Sequence, residues 1–335
     1  MRRVNVSEDR VIRTVTGLRP YRHSGFVVRA DKLHDKTVIH NYGHGGGGIT
    51  LSWGTSQMAM ELARQTGHRR CAIIGCGAVG LASARLMQQD GWDVTIYARD
   101  LPPETTSNIA GAQWSPASVF DADSVSSAFY AQLRIAMEHS YRRFQGMVGD
   151  DYGVRWVSNY MLSDRPFKSD DLFTRHSDMY PEFRTLNNDE HPFPAPHARH
   201  FDTMFIEPPV YLQAVMRDYY AAGGSIVVRE FHDGSELLSL GEPVIVNCSG
   251  LGSRALFGDD ELVPVKGQLT VLMPQPDINY LMIYEGIYMF PRADGVLLGG
   301  TFQRNISSPA PDERESERIL NAHRDFFNRM QDPWS

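Results

Sequence analysis

The chain is poor in cysteine: Cys71, Cys76 and Cys248 are its only ones, too few for a disulfide framework and wrongly spaced for a zinc site. It also lacks an excess of positive charge. The formal net charge is -7, which removes the electrostatic case for nucleic acid or an anionic membrane as partner. A small anionic substrate stays open, because a few local arginines overrule the average field. No stretch is apolar for long enough to span a bilayer. The opening Met1–Arg13 has arginines but no apolar run of the kind a secretory leader needs. The closing Asp332–Ser335 carries no lipidation or peroxisomal signal. Internal repeats and low-complexity tracts are absent as well. These absences predict a cytoplasmic protein. What is present is 335 residues with 42% hydrophobic and 22% charged content, enough for one large or two ordinary globular domains.

The clearest local signal is a strand-turn-helix unit. An apolar run, Arg70–Ile74, leads into Gly75-Cys76-Gly77-Ala78-Val79-Gly80 and then a helical pattern reaching Gln89. A second strand follows at Asp93–Tyr97. Gly75 permits the tight turn, Gly77 lets a pyrophosphate approach the backbone, and Gly80 lets helix and strand pack closely. The phosphates then meet the positive end of the helix dipole. An acid normally ends the second strand to hold ribose hydroxyls, but here Arg99 stands there with Asp100 just beyond. Arginine at that place also suits the 2′-phosphate of NADP, so the fingerprint leaves flavin and nicotinamide both open. Further strands are expected at Ser225–Val228, Pro243–Asn247 and Gly295–Gly300. Helices are expected at Ser124–Phe144, Tyr211–Ala222 and Asp312–Arg329. The proline-rich Asp189–His197 reads as a loop crossing between domains. Its prolines hold His191 and His197 on an extended path with no common face, so no metal site is expected.

A second signal is the run His40-Asn41-Tyr42-Gly43-His44-Gly45-Gly46-Gly47-Gly48-Ile49-Thr50. Four consecutive glycines imply a backbone that something approaches closely or that needs positive φ. The following Trp53–Arg64 reads as a helix, so the loop's N–H groups gather at its positive end and favour negative charge. His40 and His44 are read as holding this loop by hydrogen bonds rather than as bases.

This run, followed by Leu51-Ser52-Trp53-Gly54, resembles the signature of the D-amino-acid oxidase family of flavoproteins. Four other pieces are similar to the same family. Arg99-Asp100-Leu101-Pro102 with Thr105, Thr106, Ser107, Gly111, Ala112, Gln113 and Trp114 resembles its adenosine- and flavin-contacting segment. Val246-Asn247-Cys248-Ser249-Gly250 resembles its strand-to-glycine turn. Tyr288–Arg292, leading to Gly299-Gly300, resembles the strand carrying its substrate tyrosine. Thr16-Gly17-Leu18-Arg19-Pro20 resembles the segment carrying its carboxylate-binding arginine. In eukaryotic members the last segment and the glycine run lie near the C-terminus, whereas here they precede Gly75. The order is thus circularly permuted relative to them, which requires the chain ends to be close, within about 20 Å.

The resemblance implies a mixed α/β fold with a Rossmann-type FAD-binding domain (1–119, 198–258 and 304–335) and an antiparallel-sheet substrate domain (120–197 and 259–303). It implies non-covalent FAD held by Gly75, Gly77, Ala78, Val79, Gly80, Arg99, Asp100, Thr105–Ser107, Gly111–Trp114, Ser249, Gly250, Gly45 and Gly47–Thr50. It also implies oxidative deamination of a D-amino acid by hydride transfer to the flavin, with O2 as acceptor and a homodimer as assembly. Arg19 and the Tyr288 hydroxyl would bind the carboxylate, the Gly46 carbonyl the amine, and Tyr284 would form a lid. A flavin amine oxidoreductase for one unusual amino acid is the neighbouring alternative; an NAD(P)-dependent Rossmann dehydrogenase is the distant one. Arg22, Arg155 and Arg292 are candidates for a second cation in the side-chain pocket.

Overall fold

The structure is a computed structural model that describes residues 1–331. In chain order it begins with strands β1 (Val11–Tyr21), β2 (Val27–Leu33) and β3 (Lys36–Tyr42), then helix α1 (Gly48–Arg64). Next come β4 (Arg70–Ile74), α2 (Ala78–Gln89), β5 (Asp93–Ala98) and α3 (Ser127–Gln145). The middle holds β6 (Val154–Ser163), α4 (Leu172–Arg175), β7 (Arg184–Leu186), β8 (His197–Ile206), α5 (Pro208–Ala221) and β9 (Ser225–Val228). Then follow β10 (Val244–Asn247), α6 (Gly252–Phe257), β11 (Val263–Leu272), β12 (Tyr280–Tyr284) and β13 (Ile287–Arg292). The described chain closes with β14 (Gly295–Gly299), β15 (Gln303–Arg304) and α7 (Glu313–Asn328).

Two sheets organise these elements. One has the order β2-β3-β10-β4-β5-β9 and is parallel except for the antiparallel β2–β3 pair. Its central strands β10 and β4 are buried along nearly their whole length and mostly apolar, as expected when both faces are covered. Ile73, Val246 and Ile96 face α1 and α2, and Ala72, Ile245 and Val38 meet a smaller cluster on the other side. The second sheet has nine strands in the path β1-β11-β14-β13-β12-β6-β8-β7, with β15 beside β11. All its pairs are antiparallel except β6 with β12. One face carries Met289 and Leu298 against Ile319, Phe326 and Phe327 of α7; the other carries Leu269, Leu297 and Phe290, packed with Ile109 of the segment after β5.

Several segment boundaries differ from expectation. β1 lies within 1–119 and β8, apart from His197, within 198–258, yet both belong to the nine-stranded sheet, because β1 pairs along its length with β11 and β8 pairs with β6. α7, from the 304–335 segment, packs on that sheet too. The proline-rich loop joins β7 to β8 within one sheet, so it is no crossing between domains. Trp334 and Ser335, the expected neighbours of the N-terminus, lie outside the described residues. Within them, Arg3 donates to the Met330 carbonyl at 2.6 Å, and Val4 and Val6 pack with Phe326 and Phe327.

Candidate active site

The site begins where β4 ends. Gly75 has φ +106°, and a Cβ there would lie 2.5 Å from the Cys248 carbonyl oxygen, so β10 and the turn approach in a way only glycine allows. A Cβ on Gly80 would collide with the Gly75 carbonyl. α2 therefore sits directly on the turn, and no side chain caps it at Gly77. The Ala78 N–H donates to Ser107 Oγ at 3.1 Å, so the Thr105–Asn108 turn crosses the front of the helix. Cys76 lines the space, but burial pushes its thiol up to about 12, leaving it protonated and inert.

The glycine run lies opposite. After Gly43 (φ +84°) and Gly45 (φ +54°), a short helical turn over Gly45–Gly47 feeds α1. The helix starts at Gly48 rather than at the expected Trp53, with no side-chain cap. A Cβ on Gly45 would strike the Ser118 carbonyl, and one on Gly46 would lie 2.7 Å from the Ala117 carbonyl. What crowds these two glycines is thus the chain's own 117–118 loop, pinned by the Gly46 N–H to Ser118 carbonyl bond of 2.9 Å. Gly48 is open, its nearest neighbour being His44 Cβ at 3.9 Å. Both histidines are structural. His44 Nε2 meets Thr55 Oγ1 at 3.0 Å, and His40 is hydrogen-bonded to Asn247 and faces Asp31. Burial lowers them to about 3 and about 4, so both are neutral.

Between these walls runs one cavity of about 1250 Å³. It is lined by Gly75, Gly77, Ala78, Val79, Arg99, Asp100, Thr105, Thr106, Ser107, Gly111, Ala112 and Gln113. Ser249, Gly250, Gly45, Gly46, Gly48, Ile49, Thr50, Arg19 and Tyr288 complete the expected set. Four expected residues do not line it. Gly80 and Gly47 act as close-packing positions, with Gly47 against Val119. Trp114 is fully buried beside Tyr141 and Tyr180. Tyr284 faces away, donating to Asp164 at 2.9 Å and packing on Phe326 of α7. The reason is the hairpin: the Glu285-Gly286 turn separates β12 from β13, so Tyr288 pairs with Ile283 while Tyr284 pairs with Ile287 on the opposite face. A spacing of four across a tight turn does not keep a side chain on one face.

At one end stand Arg99, Asp100 and Arg229–His232. Arg99 is tied to Asp100 at 2.7 Å and Glu230 at 3.1 Å. Two carboxylates so placed suit ribose hydroxyls and repel a 2′-phosphate. At the other end Arg19 reaches over the nine-stranded sheet. Its Nη1 donates to the Thr301 carbonyl at 3.3 Å and its Nη2 to Tyr288 Oη at 3.5 Å. Both partners are neutral, and among the described residues no carboxylate lies in salt-bridge range of Arg19. Around the pair the lining is apolar: Ile109, Leu269, Ile283, Phe290 and Phe302. Phe290 was within reach of the alternation about Tyr288; Leu269 and Ile283 carry no sequence signal beyond strand character.

The three candidate second cations are engaged elsewhere. Arg22 binds Asp259 at 2.9 Å and Glu261 at 2.6 Å. Arg155 donates to the Pro291 carbonyl and lies over the Phe205 ring. Arg292 pairs with Asp294 at 2.7 Å and spans the Asn108 and Ala110 carbonyls, bracing the cofactor-side loop.

A cavity of about 1250 Å³ with a glycine-led helix N-terminus on each wall defines a dinucleotide-cofactor protein. At the start of α1 a Cβ on Gly48 would find nothing nearer than 3.9 Å, and at the start of α2 one on Gly77 would meet only Ser107 Oγ at 3.1 Å, so both helix starts leave bare backbone on the cavity and fit a polar, phosphate-bearing cofactor. Residues 70–335 match DAO, the FAD dependent oxidoreductase family. The chain belongs to that family, and its cofactor is FAD. It is 29% identical over 259 residues to a D-amino-acid oxidase of Dictyostelium discoideum, covering 74% of this chain and 70% of that one. It is likewise 29% identical to a D-aspartate oxidase of Homo sapiens, covering 75% and 74%. Glycine oxidase from Geobacillus kaustophilus shares the fold at TM-score 0.59 and 19% identity, over 79% of this chain and 80% of that one. The nicotinamide alternative is thereby removed. No described helix is long and apolar enough to cross a membrane.

Proposed function

We propose that the protein oxidatively deaminates a D-amino acid with a neutral, apolar side chain, giving the imino acid and, by hydrolysis, the 2-oxo acid and ammonia, with O2 leaving as H2O2. The observation that carries this reading is the Arg19–Tyr288 pair. A guanidinium whose partners are all neutral sits beside a phenol in the same cavity as the glycine turns. A planar fork of donors matches a carboxylate bidentately, and the phenol supplies a further donor. Gly75–Val79, Thr105–Ser107, Gly111–Gln113, Ser249, Gly250 and Gly48–Thr50 would hold FAD, which when bound would supply the two-electron acceptor.

The protein's own part is then positioning. Arg19 and Tyr288 fix the carboxylate, the Gly46 carbonyl is our choice of acceptor for the amine, and the apolar wall excludes water from the α-carbon. The buried His40 and His44, held neutral, serve the fold, and in this reading the α-hydrogen leaves together with its electron pair, so that no side chain is needed as a base. The D configuration rests on the relatives named above. The apolar preference rests on Leu269, Ile283 and Phe290 and on the engagement of Arg22, Arg155 and Arg292. We also infer that segment order is permuted, since the family match starts at Arg70 while Arg19 and the glycine run line the same cavity.

The test is a panel of D- and L-amino acids with 2-oxo acid as readout. D-valine and D-methionine are expected to exceed D-aspartate by about 100-fold in kcat/KM, because an unpaired second carboxylate against this wall costs a few kcal/mol. Equal or better turnover of D-aspartate, or of L-amino acids, contradicts the proposal.

A further inference from the structure

Arg19 and Tyr288 do not project straight up from their strands. Each lies across the neighbouring strand, and at the crossing point that strand carries glycine. In the register β1–β11, Gly17 pairs with Gly267, which sets Gly267 diagonal to Arg19 on the same face. In the register β13–β14, Tyr288 pairs directly with Gly299. A Cβ built on Gly267 would meet only the Arg19 guanidinium as its three nearest atoms, Nη2 at 2.5 Å, Cζ at 2.6 Å and Nη1 at 2.7 Å. For a Cβ on Gly299 the three nearest atoms are all of Tyr288, in its ring and its hydroxyl, Oη at 2.5 Å.

Neither glycine has a positive φ, so neither is required by its backbone. Glycine inside a strand weakens it relative to alanine, and here the atoms an alanine would strike first belong to the two working groups. We propose that Gly267 and Gly299 are positioning residues. They are slots that let the guanidinium and the phenol sink onto the sheet, setting the height and convergence of the carboxylate clamp. This deepens, and rests on, the reading of Arg19 and Tyr288 as that clamp. Because the far end of an arginine is flexible, a methyl at 267 is accommodated by displacing the guanidinium rather than by unfolding, so the fold survives while the clamp is lost.

The experiment uses the FAD-loaded protein and benzoate, a carboxylate with an apolar body and no α-hydrogen, titrated by its perturbation of the flavin absorption spectrum. Gly267→Ala and Gly299→Ala are expected to raise the benzoate Kd about 10- to 100-fold, the scale of a misplacement of about 1 Å. The FAD Kd and Tm are expected to stay close to wild type in Gly267→Ala. In an Arg19→Ala background, Gly267→Ala is expected to have no further effect on benzoate, because its target is gone. Benzoate affinities within twofold of wild type in both glycine variants overturn the inference while leaving the clamp standing. So does an undiminished effect of Gly267→Ala without Arg19, since the methyl then acts by another route. A wild-type protein indifferent to benzoate overturns the clamp reading and this inference with it.

Discussion

Truncating Arg19 to alanine tests the substrate end of the cavity most sharply. The side chain is half-buried, and its two protein partners are the Thr301 carbonyl and the Tyr288 hydroxyl. Removing it strands no protein charge, so the loss measures what the guanidinium gives to substrate. Two charge-assisted hydrogen bonds at about 1.5–3 kcal/mol each sum to about 3–6 kcal/mol, or a fall of about 10² to 10⁴ in kcat/KM. Arg19→Lys keeps the charge and loses the fork, so it should fall between. Initial rates of 2-oxo acid formation give the ratio, and fluorescence titration of the apoprotein with FAD shows whether the cofactor end is untouched. An Arg19→Ala enzyme within threefold of wild type, with FAD bound normally, refutes the assignment.

Other perturbations follow from the same geometry. Tyr284→Phe should leave kcat/KM within twofold of wild type, because its hydroxyl serves Asp164 on the far side of the sheet; a tenfold loss would return it to the site. Gly75→Ala forces a side chain into φ +106° against the Cys248 carbonyl, which should cost about 1–3 kcal/mol of stability and weaken FAD binding, read by calorimetry and cofactor titration. Buried His40 and His44 are held down at about 4 and about 3, below an unfolded value of about 6.5. The unfolded chain therefore takes up protons first as pH falls. Stability should be full above about pH 6.5 and decline toward pH 4, by up to about 1.4 kcal/mol per pH unit for each histidine. Urea midpoints across that range check this, and His44→Gln should flatten the slope; a midpoint independent of pH between 7 and 5 would count against it.

Local patterns were the legible part of this protein. The turn at Gly75–Gly80 and its flanking strand and helix follow from spacing and from close contacts that only glycine permits, and the structure has them where the residues put them. The glycine run was legible as a crowded backbone, but not what crowds it: the Ala117-Ser118 loop comes from far along the chain. Which strands share a sheet was illegible for a related reason. β1 and β8 find their partners at β11 and β6, and long-range pairing leaves no mark within a strand of alternating residues. Tyr284 failed because counting residues across a hairpin turn ignores the reversal of direction. Gly267 was invisible as a functional position, since a lone glycine in a strand reads only as a weak strand, and Gly299, though part of the segment quoted with Tyr288, gave no sign of its role until the side chain lying over it is seen.

The central claim is that the cavity joins an FAD site to an amino-acid carboxylate clamp. Mixing the purified, FAD-loaded protein anaerobically with an apolar D-amino acid, while following absorbance near 450 nm (approximately the flavin's own band), tests it in one step. The account predicts rapid bleaching by the D enantiomer, none by the L enantiomer, and loss of bleaching in Arg19→Ala; a flavin that stays oxidised with every D-amino acid offered, or bleaches equally well without Arg19, contradicts it.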